Sequence, residues 1–255
     1  LGTGPVVEIG PGSEPIIATA CVKRAFDLTV KNIGPLVLVV IIYVMITIAV
    51  SVAITVAGWM LGFTNSPFTP PSAGTTATPE YIAFMIGSNL VSIFVSVFLL
   101  IGAIRIGLNI VSGKPFSIGM LFGGGRLLIR AFFAYLVYLI MVLVGFALLI
   151  FPGIYLALRY SQYLSAIVDK DMGIMEAFAY SSRLTEKNKV NLFVIGLFTI
   201  AIAFAGCLAL GVGLLFAYPM IWLAWIVAYR WMQYGGRAVL DDPITQKPML
   251  ANVEG

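Results

Sequence analysis

The chain has 255 residues, of which 60% are hydrophobic and only 10% charged, with a formal net charge of +4. Its mean hydropathy of +1.03 is far above that of soluble domains. Its charged fraction is correspondingly low, since about 25% of the residues of a soluble domain are charged. The sequence contains no His, so it lacks the commonest metal ligand and the usual general base near neutral pH. We therefore expect a membrane protein with no cofactor, no metal and no nucleic-acid partner.

The chain begins with a segment that does not resemble a membrane span. Residues 1–15 are rich in Gly and Pro and lack the positive n-region and apolar core of a signal peptide, which predicts a flexible cytoplasmic tail. Residues 16–31 follow with apolar side chains interrupted by four charged ones, as in an amphipathic helix that lies on the membrane interface. Pro35 then turns the chain into the first span, because a proline disfavours the helical conformation in the residue before it.

Six apolar stretches follow. A spanning helix needs about 20 apolar residues, because the hydrocarbon core is about 30 Å thick and a helix rises about 1.5 Å per residue. The predicted spans are residues 36–62, 81–104, 131–150, 152–168, 190–210 and 213–235. The sequence thus predicts an all-α, polytopic membrane protein whose single six-helix domain covers residues 16–236, followed by a cytoplasmic C-terminal tail over residues 237–255.

Positive charge falls on only one kind of connection between these spans. Lys and Arg precede span one, lie between spans two and three and between spans four and five, and follow span six. The connections at residues 63–80, 151–153 and 207–213 have neither. Because cytoplasmic loops retain Lys and Arg, we predict that both termini are cytoplasmic.

The predicted spans form three hairpins, each preceded by a short cytoplasmic interfacial helix. Residues 16–31 precede the first hairpin, residues 116–122 the second and residues 173–188 the third. Cys21 and Cys207 fall on opposite sides of the membrane in this arrangement, so no disulfide can join them.

Several segments in the middle of the chain carry a family resemblance. They are residues 105–108, 112–117, 121–122, 152–155, 159, 168–169 and 176–185. These segments resemble a widespread group of bacterial integral membrane proteins that includes the membrane domain of some glycerophosphoryl diester phosphodiesterases. The resemblance covers about residues 100–190 and implies a six-helix membrane fold in the inner membrane of a bacterium, without implying a reaction. We expect no catalytic domain in this chain, which without His cannot supply phosphodiesterase chemistry itself.

Arg159 is the most informative polar residue. If span four begins at Pro152 on the outer side, Arg159 lies about 10 Å along the helix, where a charge costs at least about 2.5–3.5 kcal/mol. A carbonyl, a hydroxyl such as that of Tyr160 or Ser161, a lipid phosphate, water or another subunit must then compensate it. Two kinds of role are open for Arg159. In the first it ties helices together or snorkels, and in the second it binds an anionic headgroup or lines a polar cavity.

Three other polar residues complete the candidate intramembrane polar or lipid-binding set with Arg159 and Tyr160. Arg105 lies near the cytoplasmic end of span two, from where its long side chain reaches the headgroups. Asn89 and Asn109 are neutral residues of the same span, and such residues commonly bond across helices.

These features favour a non-catalytic accessory or scaffold subunit of a larger membrane assembly. Its partners would be membrane lipids and either another protein or further copies of the chain. The alternative is a transporter or lipid-handling protein with a polar site around Arg159. A polar cavity that reaches Arg159 would favour the alternative, whereas a tightly packed bundle with broad contact surfaces would favour the accessory subunit.

Overall fold

A computed structural model describes residues 8–63, 78–209, 213–236 and 239, and every element within them is helical. The elements are α1 (Ala18–Lys31), α2 (Ile33–Met60), α3 (Pro79–Val111), a short 3-10 helix (Ile118–Phe122), α4 (Gly125–Leu148), α5 (Ile150–Arg159), α6 (Tyr163–Lys170), α7 (Ile174–Leu184), α8 (Lys189–Leu208) and α9 (Leu214–Tyr234). Among the described residues, α2, α3, α4, α8 and α9 are long and apolar enough to cross a membrane. The predicted all-α fold is confirmed, and these helices are compatible with a multi-pass membrane protein.

The fourth predicted span is divided. In place of one continuous helix over residues 152–168, α5 and α6 are separated by a turn at residues 160–162. The backbone groups freed at this turn bond to the hydroxyls of Ser181 in α7 and of Thr185, the residue that follows α7. The Arg159 carbonyl accepts from Ser181 Oγ at 3.1 Å and from Thr185 Oγ1 at 2.9 Å, and the Gln162 N–H donates to Ser181 Oγ at 3.1 Å. The prediction of a continuous helix is wrong. The helix can break here because α7 and the residue after it supply hydrogen-bond partners to backbone groups that lipid could not satisfy.

Two of the three predicted interfacial segments form α-helices. α1 packs one face against α8 and α9 and buries Ala18, Cys21, Ala25 and Leu28. Burial raises the pKa of the Cys21 thiol to about 12, so this thiol stays protonated. The third segment contains α7, whereas the second forms only the short 3-10 helix.

The densely packed core lies at one end of the bundle. The C-terminal parts of α3 and α9 are largely buried, whereas Ile82, Ile86 and Val91 in the N-terminal part of α3 are exposed. The opposite end exposes apolar side chains such as Phe151, which is 84% exposed. The described Lys and Arg lie in or next to α1, α6 and α7, the C-terminal parts of α3, α5 and α9, and the N-terminal parts of α4 and α8: Lys23, Arg24, Lys31, Arg105, Lys114, Arg126, Arg130, Arg159, Lys170, Arg183, Lys187, Lys189 and Arg230.

Glycines permit close approaches within the bundle. A Cβ on Gly102 of α3 would lie 2.1 Å from the Leu121 carbonyl oxygen of the 3-10 helix. A Cβ on Gly145 of α4 would lie 2.9 Å from the Cα of Gly153 in α5. Since real Cβ atoms do not approach so closely, each of these two contacts depends on a glycine.

The N-terminal segment is bonded to the helices. The Ile9 N–H donates to the Gln233 carbonyl at 3.0 Å, the Gly12 N–H to the Met232 carbonyl at 3.2 Å, and the Ile16 N–H to Asn188 Oδ1 at 2.8 Å. Residues 8–15 therefore differ from the flexible tail expected over residues 1–15. Residues 1–7, the centre of the predicted outer loop at 64–77 and most of the predicted C-terminal tail lie outside the described residues.

Candidate functional site

Arg159 ends α5 and contacts α7. Its Nε donates to Ser182 Oγ at 2.8 Å, and its Nη1 donates to Tyr155 Oη at 3.3 Å. The guanidinium carbon lies 5.9 Å from the centre of the Tyr155 ring and 5.6 Å from that of Tyr160. Two hydroxyls thus compensate Arg159 in part, and they come from Tyr155 and Ser182, not from Tyr160 or Ser161.

Lys189, the first residue of α8, contacts the same tyrosine. Its Nζ lies 5.3 Å from the centre of the Tyr155 ring and donates to the Glu186 carbonyl at 2.9 Å. Arg159 is therefore close to the end of a helix of membrane-crossing length, rather than isolated within a continuous span. We call Tyr155, Arg159, Ser182 and Lys189 the Tyr155 cluster.

Three of the other four predicted polar residues lie apart from this cluster, and the fourth, Tyr160, contacts it through the Arg159 guanidinium. Arg105 Nη1 donates to the Gly123 carbonyl at 2.6 Å, and Asn109 Nδ2 donates to the Pro115 carbonyl at 3.1 Å, so both hold the connection between α3 and α4. Asn89 Nδ2 donates to the Met85 carbonyl of its own helix at 2.7 Å, and not across helices as expected. The Tyr160 ring packs edge-on against Phe178.

A buried ion pair joins α6 to α9, and the sequence analysis did not identify it. Arg230 Nη2 lies 2.8 Å from Asp169 Oδ1, and Arg230 Nη1 donates to Asp169 Oδ2 at 3.0 Å, so the pair is bidentate. The two side chains are only 10% and 12% exposed. Tyr229 Oη and Gln233 Nε2 donate to the same Asp169 oxygen at 3.0 and 3.2 Å. Asp169 lies one residue beyond predicted span four, which is why it was not considered as a partner for a buried arginine.

Hydrogen bonds extend from this pair to the N-terminal segment. Gln233 Nε2 donates to Tyr180 Oη at 3.0 Å, and Tyr180 Oη donates to a carboxylate oxygen of Glu8. Lys170 Nζ forms an ion pair with the other Glu8 oxygen at 2.6 Å. Burial, and then the bond to Glu8, raises the pKa of Tyr180 above its ordinary value, so this hydroxyl keeps its proton. The following residues form what we call the Asp169 network: Glu8, Asp169, Lys170, Tyr180, Tyr229, Arg230 and Gln233.

An exposed pair of contacts ties α4 to the end of α6. Arg126 Nη2 lies 2.8 Å from Asp171 Oδ2, and Arg130 Nη1 lies 2.6 Å from Asp171 Oδ1. Asp171 has the left-handed φ of 53°. The side chains of Arg126 and Asp171 are 81% and 45% exposed, and exposed pairs of this kind contribute at most about 1 kcal/mol.

Comparison with known proteins identified no similar protein. No family model, no curated protein and no solved structure matches the chain. The fold itself defines a class: an all-helical protein with several helices compatible with multiple membrane crossings. Its polar side chains, in the described part of the chain, include a mutually neutralised network and a separate cationic cluster.

Proposed function

We propose that the protein is a non-catalytic integral membrane protein that serves as an accessory or scaffold subunit of a larger membrane assembly. The observation that supports this most is the combination of a closely packed, cross-linked end with wide exposed apolar faces. A rigid end holds helices at fixed positions, and apolar faces give lipids and partner helices a surface to cover.

The Asp169 network supports the rigid part of this proposal. It pairs the carboxylates of Glu8 and Asp169 with the cations of Lys170 and Arg230, and so joins α6, α7, α9 and the N-terminal segment. These charges neutralise one another without an added ligand. The glycine contacts at Gly102 and Gly145 favour a bundle that does not rearrange, since backbones packed this closely have little room to slide.

The exposed faces support the interaction part. In the most apolar windows of α2, α4 and α8, only 11%, 17% and 17% of the residues are buried. Helices in a membrane associate through close packing of such faces. We propose that these helices contact a further membrane protein or a second copy of this chain.

We further propose six crossings in three hairpins, with α5 and α6 together forming the fourth and both termini in the cytoplasm of a bacterium. The placement of the described Lys and Arg around the C-terminal parts of α3 and α9 and the N-terminal parts of α4 and α8 supports this topology. Membership of the bacterial family that includes the phosphodiesterase membrane domain stays a prediction.

Cysteine labelling tests the topology. In a background with Cys21→Ser and Cys207→Ser, we expect an impermeant maleimide added to intact cells to modify Thr75→Cys but not Lys187→Cys. After the cells are opened, both variants should react. Modification of Lys187→Cys from outside intact cells would contradict the proposed orientation.

Site-specific photocrosslinking tests the scaffold proposal. A photoreactive residue at Ile200, which is 68% exposed on α8, should yield a discrete protein adduct in intact membranes, whereas one at Leu192, which is buried on the same helix, should not. Purification in mild detergent, followed by mass measurement, should show the same adduct partner in fixed stoichiometry with the 27.5 kDa chain. Monomers that co-purify with lipid alone, with no protein adduct at Ile200, would contradict the proposal.

A further inference from the structure

We propose that the Tyr155 cluster binds the phosphate of an anionic phospholipid headgroup. The observation behind this proposal is that Arg159 and Lys189 lie within 6 Å of the same tyrosine ring. Within the part of the chain that the structure describes, neither cation forms an ion pair with a carboxylate. The proposal goes beyond the scaffold function and does not depend on it.

The donors of the cluster are only partly used. A guanidinium carries five N–H donors, and the bonds of Arg159 to Ser182 and Tyr155 leave others available. An ammonium carries three donors, and the bond of Lys189 to the Glu186 carbonyl uses one of them. A phosphate diester brings acceptor oxygens and a negative charge, so it matches both cations, and arginine can bind it bidentately.

The position of the cluster favours a lipid as the source of that phosphate. Tyr155 is 45% exposed; Phe151, four residues before it on α5, is 84% exposed, and Val190, next to Lys189 on α8, is 76% exposed. Apolar side chains with this exposure suit acyl chains. An uncompensated cation beside them is costly in a membrane, and a phospholipid supplies both the missing anion and the chains that cover the apolar surface.

The acidic residue nearest in sequence does not neutralise the cluster. Glu186 contacts Lys189 only through its main-chain carbonyl, and among the described residues its carboxylate forms no ion pair. The contrast with Arg230 is direct, because that guanidinium is held by the buried carboxylate of Asp169. The Tyr155 cluster therefore keeps a positive charge that an anion can bind.

The test uses the full chain, purified in detergent and delipidated. Binding is measured by native mass spectrometry and by thermal unfolding, with phosphatidylglycerol, phosphatidylcholine or inorganic phosphate added separately. We expect the wild type to bind phosphatidylglycerol at least about tenfold more tightly than phosphatidylcholine, whose choline would face the two cations. Inorganic phosphate at the same concentration should give no comparable stabilisation, because it cannot cover the apolar surface.

Variants that remove one charge each locate the site. Arg159→Gln and Lys189→Gln should each weaken phosphatidylglycerol binding about tenfold, while Lys31→Gln, a matched loss of charge at an exposed residue that ends α1, should bind like the wild type. Arg159→Lys should be intermediate, since lysine does not reproduce the planar fork. If Arg159→Gln fails to fold after losing its bond to Ser182, Lys189→Gln carries the test, because Lys189 bonds only a main-chain carbonyl.

Two results would overturn the proposal. The first is that both glutamine variants keep the wild-type preference for phosphatidylglycerol, which would show that the cluster does not bind the headgroup. If Arg159→Gln does not fold, the same result in Lys189→Gln alone leads to the same conclusion. If inorganic phosphate stabilises the wild type as much as phosphatidylglycerol does, and the variants lose both effects, the site takes a free phosphate and not a lipid.

Discussion

Asp169→Asn should lower the free energy of unfolding by about 3–5 kcal/mol, because it removes one partner of a buried ion pair and leaves the other charge uncompensated. The Arg230 side chain is only 10% exposed, and Asp169 also accepts hydrogen bonds from Tyr229 and Gln233. The substitution therefore weakens the attachment of α6 to α9. Unfolding of the purified protein in detergent, followed by circular dichroism against temperature or added denaturing detergent, measures the change.

Asp171→Asn is the matched control for that prediction. It makes the same substitution two residues away, in an exposed pair with Arg126 and Arg130, and asparagine tolerates the left-handed φ of this position. We expect a loss of at most about 1 kcal/mol. The double variant Asp169→Leu/Arg230→Met should recover part of the stability lost in Asp169→Asn, since it removes the uncompensated charge but also the acceptor of Tyr229 and Gln233. Equal losses in Asp169→Asn and Asp171→Asn would show that the buried pair is not a main contributor to stability.

Gly102→Ala should destabilise the protein by about 1–3 kcal/mol through overpacking. The added Cβ would lie 2.1 Å from the Leu121 carbonyl oxygen and 2.5 Å from the Leu121 Cα. These are backbone atoms, so α3 and the 3-10 helix must separate to admit the methyl group. The readout is the midpoint of thermal unfolding in detergent.

Gly87→Ala on the same helix is the control for Gly102→Ala. A Cβ at Gly87 meets nothing within 4 Å, and alanine is the better helix former of the two residues. We expect this variant to be at least as stable as the wild type. If the two alanine variants unfold at the same temperature, the contact between α3 and the 3-10 helix is not as close as described.

The helices were predictable from hydropathy because membrane-length apolar runs have few alternatives to helix. α2, α3, α4, α8 and α9 all coincide with predicted spans. The division of the fourth span was not predicted, although Arg159, Ser161 and Gln162 form a polar run at the break. The backbone groups at this break are satisfied by hydroxyls in and just after α7, about 20 residues further along the chain.

The polar clusters were harder to predict than the helices. Arg159 was identified because a charge within an apolar run is visible in the sequence, but its partner Ser182 lies 23 residues away. Asp169 and Arg230 are 61 residues apart, and their pairing depends on how the folded bundle places α6 relative to α9. Hydropathy treats each helix separately, so it does not show which charges will meet.

The N-terminal segment has a consequence for the order of assembly during synthesis. Its residues emerge from the ribosome before those of α1 to α9, yet Ile9 and Gly12 bond to the carbonyls of Gln233 and Met232, near the end of α9. Contacts between residues so far apart in sequence form late. Docking of this segment must therefore wait until α9 has been synthesised, so this end of the bundle closes only after α9 is in place.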